Sequence, residues 1–502
     1  MTAERDTRHE HSMTCDELAR AALAALNRDD CEVCVGYAGR AVTMEPRNGF
    51  LRQLLGVALS RLERWQEALG QLEYACQLSP EDAQTHYNLA VALHKAGHCG
   101  AAMAAYRRCL ESRADHADAL WNYGELLRLG EHFEGALACL DQLLRLEGAM
   151  RPKAAHRMAV CCAHLGLDTR AEALFLDQLR ADPAPNTHWE YALFCLERGR
   201  FDDAWPHYAW RFEAQNCAIE MATPFAPWHG GFEADATLIV SNEQGAGDEI
   251  LFAAFLPELL ARAARACMQV VLVCHPGLAR LFAASFQSAR VIPRNTLTES
   301  SWASVVDTSR PVWHCPIGNL PQWIGKPAPA AYLKPHADDI RLAETLFGPE
   351  DGMRVGLAWT SNPRSQDMNS LARNVPSDML NAWLKDLPHI RFHSLMTTEH
   401  RGAVGSLADV PLRDLSWFLS DFSRTAALMC CLDAVVSVCT STANLAGALG
   451  VESHVLLQKH ADWRWYRDTA WYPRVVTYRQ ERRSDWSPCL RRLRDYLAGR
   501  SI

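Results

Sequence analysis

The sequence predicts an all-α superhelix followed by an α/β region of two doubly wound lobes. Three observations carry that expectation. Small residues recur at a near-constant spacing through roughly the first two hundred positions. The composition changes after "AWRFEAQN", residues 209–216. Beyond it, short β-branched runs alternate with helical text, in two successive series.

The repeats come first. Ala68, Ala102 and Ala136 are 34 residues apart; Ala171 follows at 35 and Ala204 at 33. Four residues after each stands a bulky side chain: Leu72, Tyr106, Leu140, Phe175 and Tyr208. A small residue at a fixed helix position lets a second helix approach closely. Pro46, Pro80 and Pro183 fall at unit ends, since proline cannot donate the next helical hydrogen bond. A period of 34 with this pattern is the tetratricopeptide signature. About six units fit between residues 15 and 215, the first of them weaker and ending at Pro46. Each unit buries its face only against a neighbour, so the array is a superhelix with a concave groove. Such a groove binds a peptide or protein; a spacer or oligomerisation module would carry the same text.

Composition narrows the class. The chain has 502 residues, 49% hydrophobic and 22% charged, with a net charge of −8. A nucleic-acid footprint needs a basic face, and the acidic balance gives none. No run approaches the ~18 apolar residues of a membrane span. The charged start "MTAERDTRHEHSMTCDE" lacks a secretory apolar segment, so a cytoplasmic protein is expected. Eighteen cysteines in a long chain without a signal read as small buried hydrophobes rather than a disulfide framework. Cys31 and Cys34 form a lone CxxC, which reads as helix packing; zinc would want a second ligand pair.

The second half follows a linker at 216–235, marked by Pro224, Pro227, Gly230 and Gly231. The first lobe, 236–335, opens with "TLIVSN" as a strand and a helix over 248–266. "VVLVCH", "RVIP" and "VWHCP" continue the strands. The second lobe, 336–502, runs "MRVGLAW", a helix over 376–387, "RFHSLM", a helix over 422–432, "AVVSV", a helix over 442–449 and "SHVLLQ". Strands alternating with helices imply parallel, Rossmann-like sheets. Ligands in such sheets sit at the carboxyl ends of strands.

Three loops lie at such ends. In "SNEQGAGDEILF", Gly245 and Gly247 permit tight turns beside a ligand. Asp248 there opens a helix, and a plain first-turn carboxylate is the simpler reading. In "AWTSNPRSQDMNSLARN", Ser361, Asn362 and Pro363 form a turn after a strand, and Arg364 and Arg373 could meet an anion; a solvated loop reads equally well. In "VVSVCTSTANLAGALG", Thr440, Ser441 and Thr442 stand where a helix begins, a place whose free N–H groups suit a phosphate. One of those hydroxyls could instead simply cap the helix. No carboxylate pair has obvious metal spacing, so no metal is expected.

"PWHGG" with "TLIVSNEQGAGDEILFAAFLP" resembles the start of the catalytic region of bacterial tetratricopeptide-repeat glycosyltransferases, which are related to lipopolysaccharide heptosyltransferases. "MRVGLAWTSNP", "LSDFSRTAALMCCLDAVVSVCTSTANLAGALG" and "DWRWYRDTAWYP" are similar to its later blocks, in order. The resemblance runs from about Trp228 to Tyr472.

The resemblance implies the two-lobed GT-B fold and sugar transfer from a nucleotide-sugar, with inversion, no cofactor and no metal. It places a general base at Asp248, which takes a proton from the acceptor hydroxyl. Gly245, Gly247, Trp359, Ser361, Asn362, Thr440, Ser441 and Thr442 fall in the donor-binding blocks. Without a metal, leaving-group charge falls to helix N-termini and basic side chains, with Arg373 the first candidate and Arg464 a weaker one. The repeats favour a protein as acceptor. The family's usual Asp-Thr-x-x-x-His text is altered: its acidic and imidazole positions are Cys439 and Asn444. "RN" at 373–374 replaces the common "RS", and "SLM" at 394–396 the usual "SLQ". Two classes therefore stay open: a glycosyltransferase acting on a protein held by the repeats, and a repeat-based scaffold whose α/β region no longer transfers sugar.

Overall fold

The computed structural model describes residues 13–146, 151–214, 220–298, 302–325, 327, 329–348, 352–361, 372–407, 410–465 and 471–500, with the backbone alone at 151, 152 and 401. The chain divides into two compact units, Met1–Pro183 and Ala184–Ile502.

The first unit is all helical. Its helices are α1 (Cys15–Asn27), α2 (Cys31–Met44), α3 (Gly49–Arg61), α4 (Trp65–Leu78), α5 (Ala83–Lys95), α6 (Cys99–Ser112), α7 (Ala117–Leu129), α8 (Phe133–Arg145), α9 (Arg151–His164) and α10 (Asp168–Ala181). They pack as successive pairs. Ala68, Ala102, Ala136 and Ala171 are completely buried, as are Leu72 and Tyr106, and Leu140 and Phe175 nearly so. The alanine is where one helix meets its partner, and the bulky residue one turn on fills the space beside it. Cys31 and Cys34 belong to the same core.

Each pair turns in the same way. Asp29, Glu63, Gly97, Glu131 and Gly166 all have positive φ, between 59° and 85°. The next residue donates its N–H five positions back in each case, as in Arg64 to the Leu59 carbonyl at 3.0 Å. This is the left-handed helix ending that normally favours glycine.

The second unit begins with another helical pair, α11 (Pro185–Leu196) and α12 (Phe201–Tyr208), which repeats the pattern with Ala204 buried and Gly199 at φ 71°. Two separate parallel sheets follow. The first contains β1 (Ala226–Pro227), β2 (Thr237–Ser241), β3 (Gln269–Cys274), β4 (Arg290–Pro293) and β5 (Val312–Pro316), in the order β1-β5-β2-β3-β4. The second contains β6 (Met353–Ala358), β7 (Ile390–Ser394), β8 (Leu412–Asp414), β9 (Ala434–Val438), β10 (Ser453–Leu457) and β11 (Val475–Arg479), in the order β11-β10-β9-β6-β7-β8. Every pairing is parallel. β2, β9 and β10 are buried along their whole length, because helices cover both faces of a parallel sheet.

Three edge strands escape a pattern-based reading. β1 lies in the predicted linker and ends on Pro227, β8 reads "LRD", and β11 is mostly half-exposed. Each takes its hydrogen bonds from an edge already present, so its own text carries little signal. The helix expected over 248–266 is interrupted. α13 (Ala246–Phe252) ends in a 3-10 turn at Ala253–Phe255, and a second helix, Leu256–Arg265, carries Pro257 in its first turn. Among the described residues, no helix is long and apolar enough to cross a membrane.

Candidate functional site

The second unit holds a cavity of about 660 Å3 at the carboxyl ends of strands from both of its sheets. Loops after β2, β6, β7 and β9 all reach it. From the first sheet come Gly245, Gly247 and Asp248; from the second come Ser361, Arg373, Cys439 and Thr440. Ser441, Thr442 and Asn444 line it from α14 (Ser441–Leu449). Trp359 does not line it: its side chain is core, 1% exposed, and its carbonyl accepts the Val375 N–H at 3.0 Å. Asn362, like Arg364, lies outside the described residues.

Asp248 does two things at once. One oxygen, Oδ2, accepts the Gly245 N–H at 3.2 Å, closing the first turn of α13. The other, Oδ1, accepts from Arg464. The first-turn hydrogen bond and the ion pair thus use different oxygens of one carboxylate. Arg464 also donates to both oxygens of Asp462 at 2.6 Å. Burial works against the guanidinium's charge, but the two carboxylates outweigh it and its pKa stays raised.

Gly247 explains why the loop is glycine-rich. A Cβ there would sit 3.2 Å from Asn444 Nδ2 and 3.4 Å from Ser441 Cα. Its bare backbone lets α13 and α14 touch, bringing Asp248 close to the start of α14. Asn444 is 5% exposed and accepts the Tyr472 hydroxyl at 2.9 Å. Cys439 accepts the Trp465 indole N–H at 3.0 Å, and burial pushes its thiol up to about 11, so it is neutral near pH 7. Cys439 and Asn444 are thus both tied into the protein's own packing.

The start of α14 carries no side-chain cap. Thr440 occupies the capping position, but its hydroxyl pairs with Ser437 Oγ at 3.1 Å and lies 3.3 Å from the Val438 carbonyl. The Ser361 turn is fastened by Asn374, whose Oδ1 accepts the Ser361 N–H at 2.8 Å. Asn374, the residue after Arg373, therefore holds the loop.

Sequence reasoning underrated or missed several cavity residues. Arg464 was hard to weigh because it stands between Trp463 and Trp465, both buried core. His275, at the carboxyl end of β3, and Asp462, Glu399 and His400 also line the cavity. The strand-end rule could have flagged His275. Beside Asp248, Glu249 is 2% exposed and accepts the His275 N–H with both oxygens, at 3.0 and 3.1 Å. Burial raises its pKa to about 8, against the pull of that bond. Among the described residues, no group of three or more His, Cys, Asp or Glu side chains is placed to hold a metal.

Comparison with known proteins bears on the repeats. Residues 56–97 match the model of the TPR repeat. The N-terminal helices are tetratricopeptide repeats. The chain is 26% identical over 457 residues to Protein FlbA of Caulobacter vibrioides, covering 84% of this chain and 74% of that one. Similar solved structures include YrrB, described as a TPR protein with an unusual peptide-binding site. It shares 16% identity over 36% of this chain and 92% of its own, with a TM-score of 0.33. A tetratricopeptide repeat protein from Parabacteroides merdae shares 20% identity over 42% of this chain and 81% of its own, with a TM-score of 0.35.

Proposed function

We propose that the cavity is the reaction site of a glycosyltransferase of the GT-B type. In this reading the nucleotide-sugar's diphosphate sits against the uncapped start of α14, with Arg373 and Arg464 meeting its charge. The acceptor hydroxyl gives its proton to Asp248 as its oxygen bonds the anomeric carbon. The bond from that carbon to the diphosphate breaks on the opposite face, inverting the centre. The reaction is metal-independent by resemblance, the setting cytoplasmic, and the acceptor a protein delivered by the repeats. The observation that supports this is the convergence of Asp248, an arginine pair and a helix start in one cavity at the strand ends of both sheets.

A second reading has a specific basis. Cys439 and Asn444 spend their polar atoms on Trp465 and Tyr472, which favours a scaffold protein with impaired transfer. Calorimetric titration with UDP, GDP, ADP and dTDP separates the two. Binding by wild type that is lost on replacing Thr440, Ser441 and Thr442 with alanine supports the transferase. No binding by wild type, but binding after Cys439→Asp with Asn444→His, supports the scaffold.

A further inference from the structure

The loop that carries Asp248 is held by a side chain from the helical pair before it. Arg211 follows α12 in a short 3-10 turn, Ala209–Phe212, and is completely buried. Its Nε donates to Glu243 Oε1 at 2.7 Å, and a second nitrogen donates to Oε2. The remaining nitrogen donates to Asn319 Oδ1 at 2.7 Å and the Tyr208 carbonyl at 3.0 Å. Glu243 lies two residues after β2 and five before Asp248. A forked guanidinium on a buried carboxylate fixes position and direction together. The fit is tight: a Cβ on Gly318 would fall 2.5 Å from Glu243 Oε1.

The same helical pair touches the other side of the Asp248–Arg464 ion pair. Trp205 and Tyr208 pack on Phe252, at the end of Asp248's own helix, with ring centroids 6.5 and 5.9 Å apart. They also pack on Trp463, next to Arg464, at 6.3 and 6.2 Å. One element thus braces both partners. A solvent-exposed spacer would need neither a buried charge nor this aromatic seam, and a buried ion pair is weak evidence of stability by itself.

We propose that α11–α12 is a positioning element for the Asp248 loop, with Arg211 as its positioning residue acting through Glu243. Its effect on rate rests on the transferase reading; the holding of the loop does not. The test uses full-length protein carrying Arg211→Met with Glu243→Met, which removes both charges and leaves neither stranded. Hydrogen–deuterium exchange is followed in peptides covering 242–252, with 434–449 as reference. Exchange at 242–252 should rise at least about tenfold with the reference unchanged. Transfer kcat should fall with the donor KM retained, a split that general loosening would not produce. Unchanged exchange in a folded double variant overturns the proposal. If that variant does not fold, Gly318→Ala keeps both charges but displaces the Glu243 carboxylate, and the same exchange readout decides. A wild type that transfers no sugar sinks the transferase reading alone, and exchange then judges the proposal by itself.

Discussion

Arg464 and Asp248, 216 positions apart in the chain, form an ion pair in the wall of the cavity. Arg464 is also tied to Asp462, so one guanidinium serves two carboxylates that are 22% and 29% exposed. Arg464→Gln removes the countercharge of both. The expected loss is about 1–3 kcal/mol, read as a lower urea midpoint. Asp248→Asn strands no charge and should cost less. In the transferase reading, Asp248→Asn abolishes transfer while nucleoside diphosphate affinity stays near wild type. Surviving activity would refute Asp248 as the base.

Glu249 makes stability depend on pH. Its folded pKa of about 8 lies above its ordinary value of 4.5, so the folded state holds the proton more tightly. Its contribution is fully present below about pH 4.5 and is lost as pH rises toward 8. The slope approaches about 1.4 kcal/mol per pH unit within that window. Glu249→Gln should flatten the curve between pH 5 and 8 in urea melts. A variant as steep as wild type would mean another group sets the dependence.

Cys439 should be chemically quiet. Its thiol is pushed up to about 11 by burial, and only the thiolate alkylates. Iodoacetamide at pH 7.5 should label exposed Cys99 and Cys267 and spare Cys439, as read by peptide mass spectrometry. Rapid labelling of Cys439 in folded protein would contradict its raised pKa and its hydrogen bond from Trp465.

The repeat alanines leave no room for growth. Ala102 is completely buried while Ala101 is exposed. Ala102→Leu should cost about 1–3 kcal/mol by overpacking. Ala101→Leu should change stability by less than about 0.5 kcal/mol. Equal effects in thermal melts would show that the contact is not tight.

One exposed turn can be improved. Glu63 sits at φ 59°, where a side chain costs about 1–2 kcal/mol and glycine costs nothing sterically. Glycine's extra freedom in the unfolded chain returns about 0.5–1 kcal/mol of that. Glu63→Gly should therefore raise the urea midpoint slightly, and a lower midpoint would show that Glu63 makes a compensating contact.

The sequence by itself determined the repeats and the α/β order. Their signals are local: a helix face repeats every 34 residues, and a strand buried on both faces must be apolar throughout. It also placed three of the loops that line the cavity, since strand ends are visible in the text. Tertiary structure decided what those loops do there. Only folding pairs Asp248 with Arg464, ties Cys439 to Trp465 and Asn444 to Tyr472, and closes Arg211 on Glu243. Such partners are 26 to 216 positions apart, and neither residue of a pair carries a mark of the other. Side-chain hydrogen bonds depend on angstrom-scale placement, which linear spacing does not encode. The edge strands β1, β8 and β11 follow the same rule, because a partner's free edge, not their own residues, makes them strands.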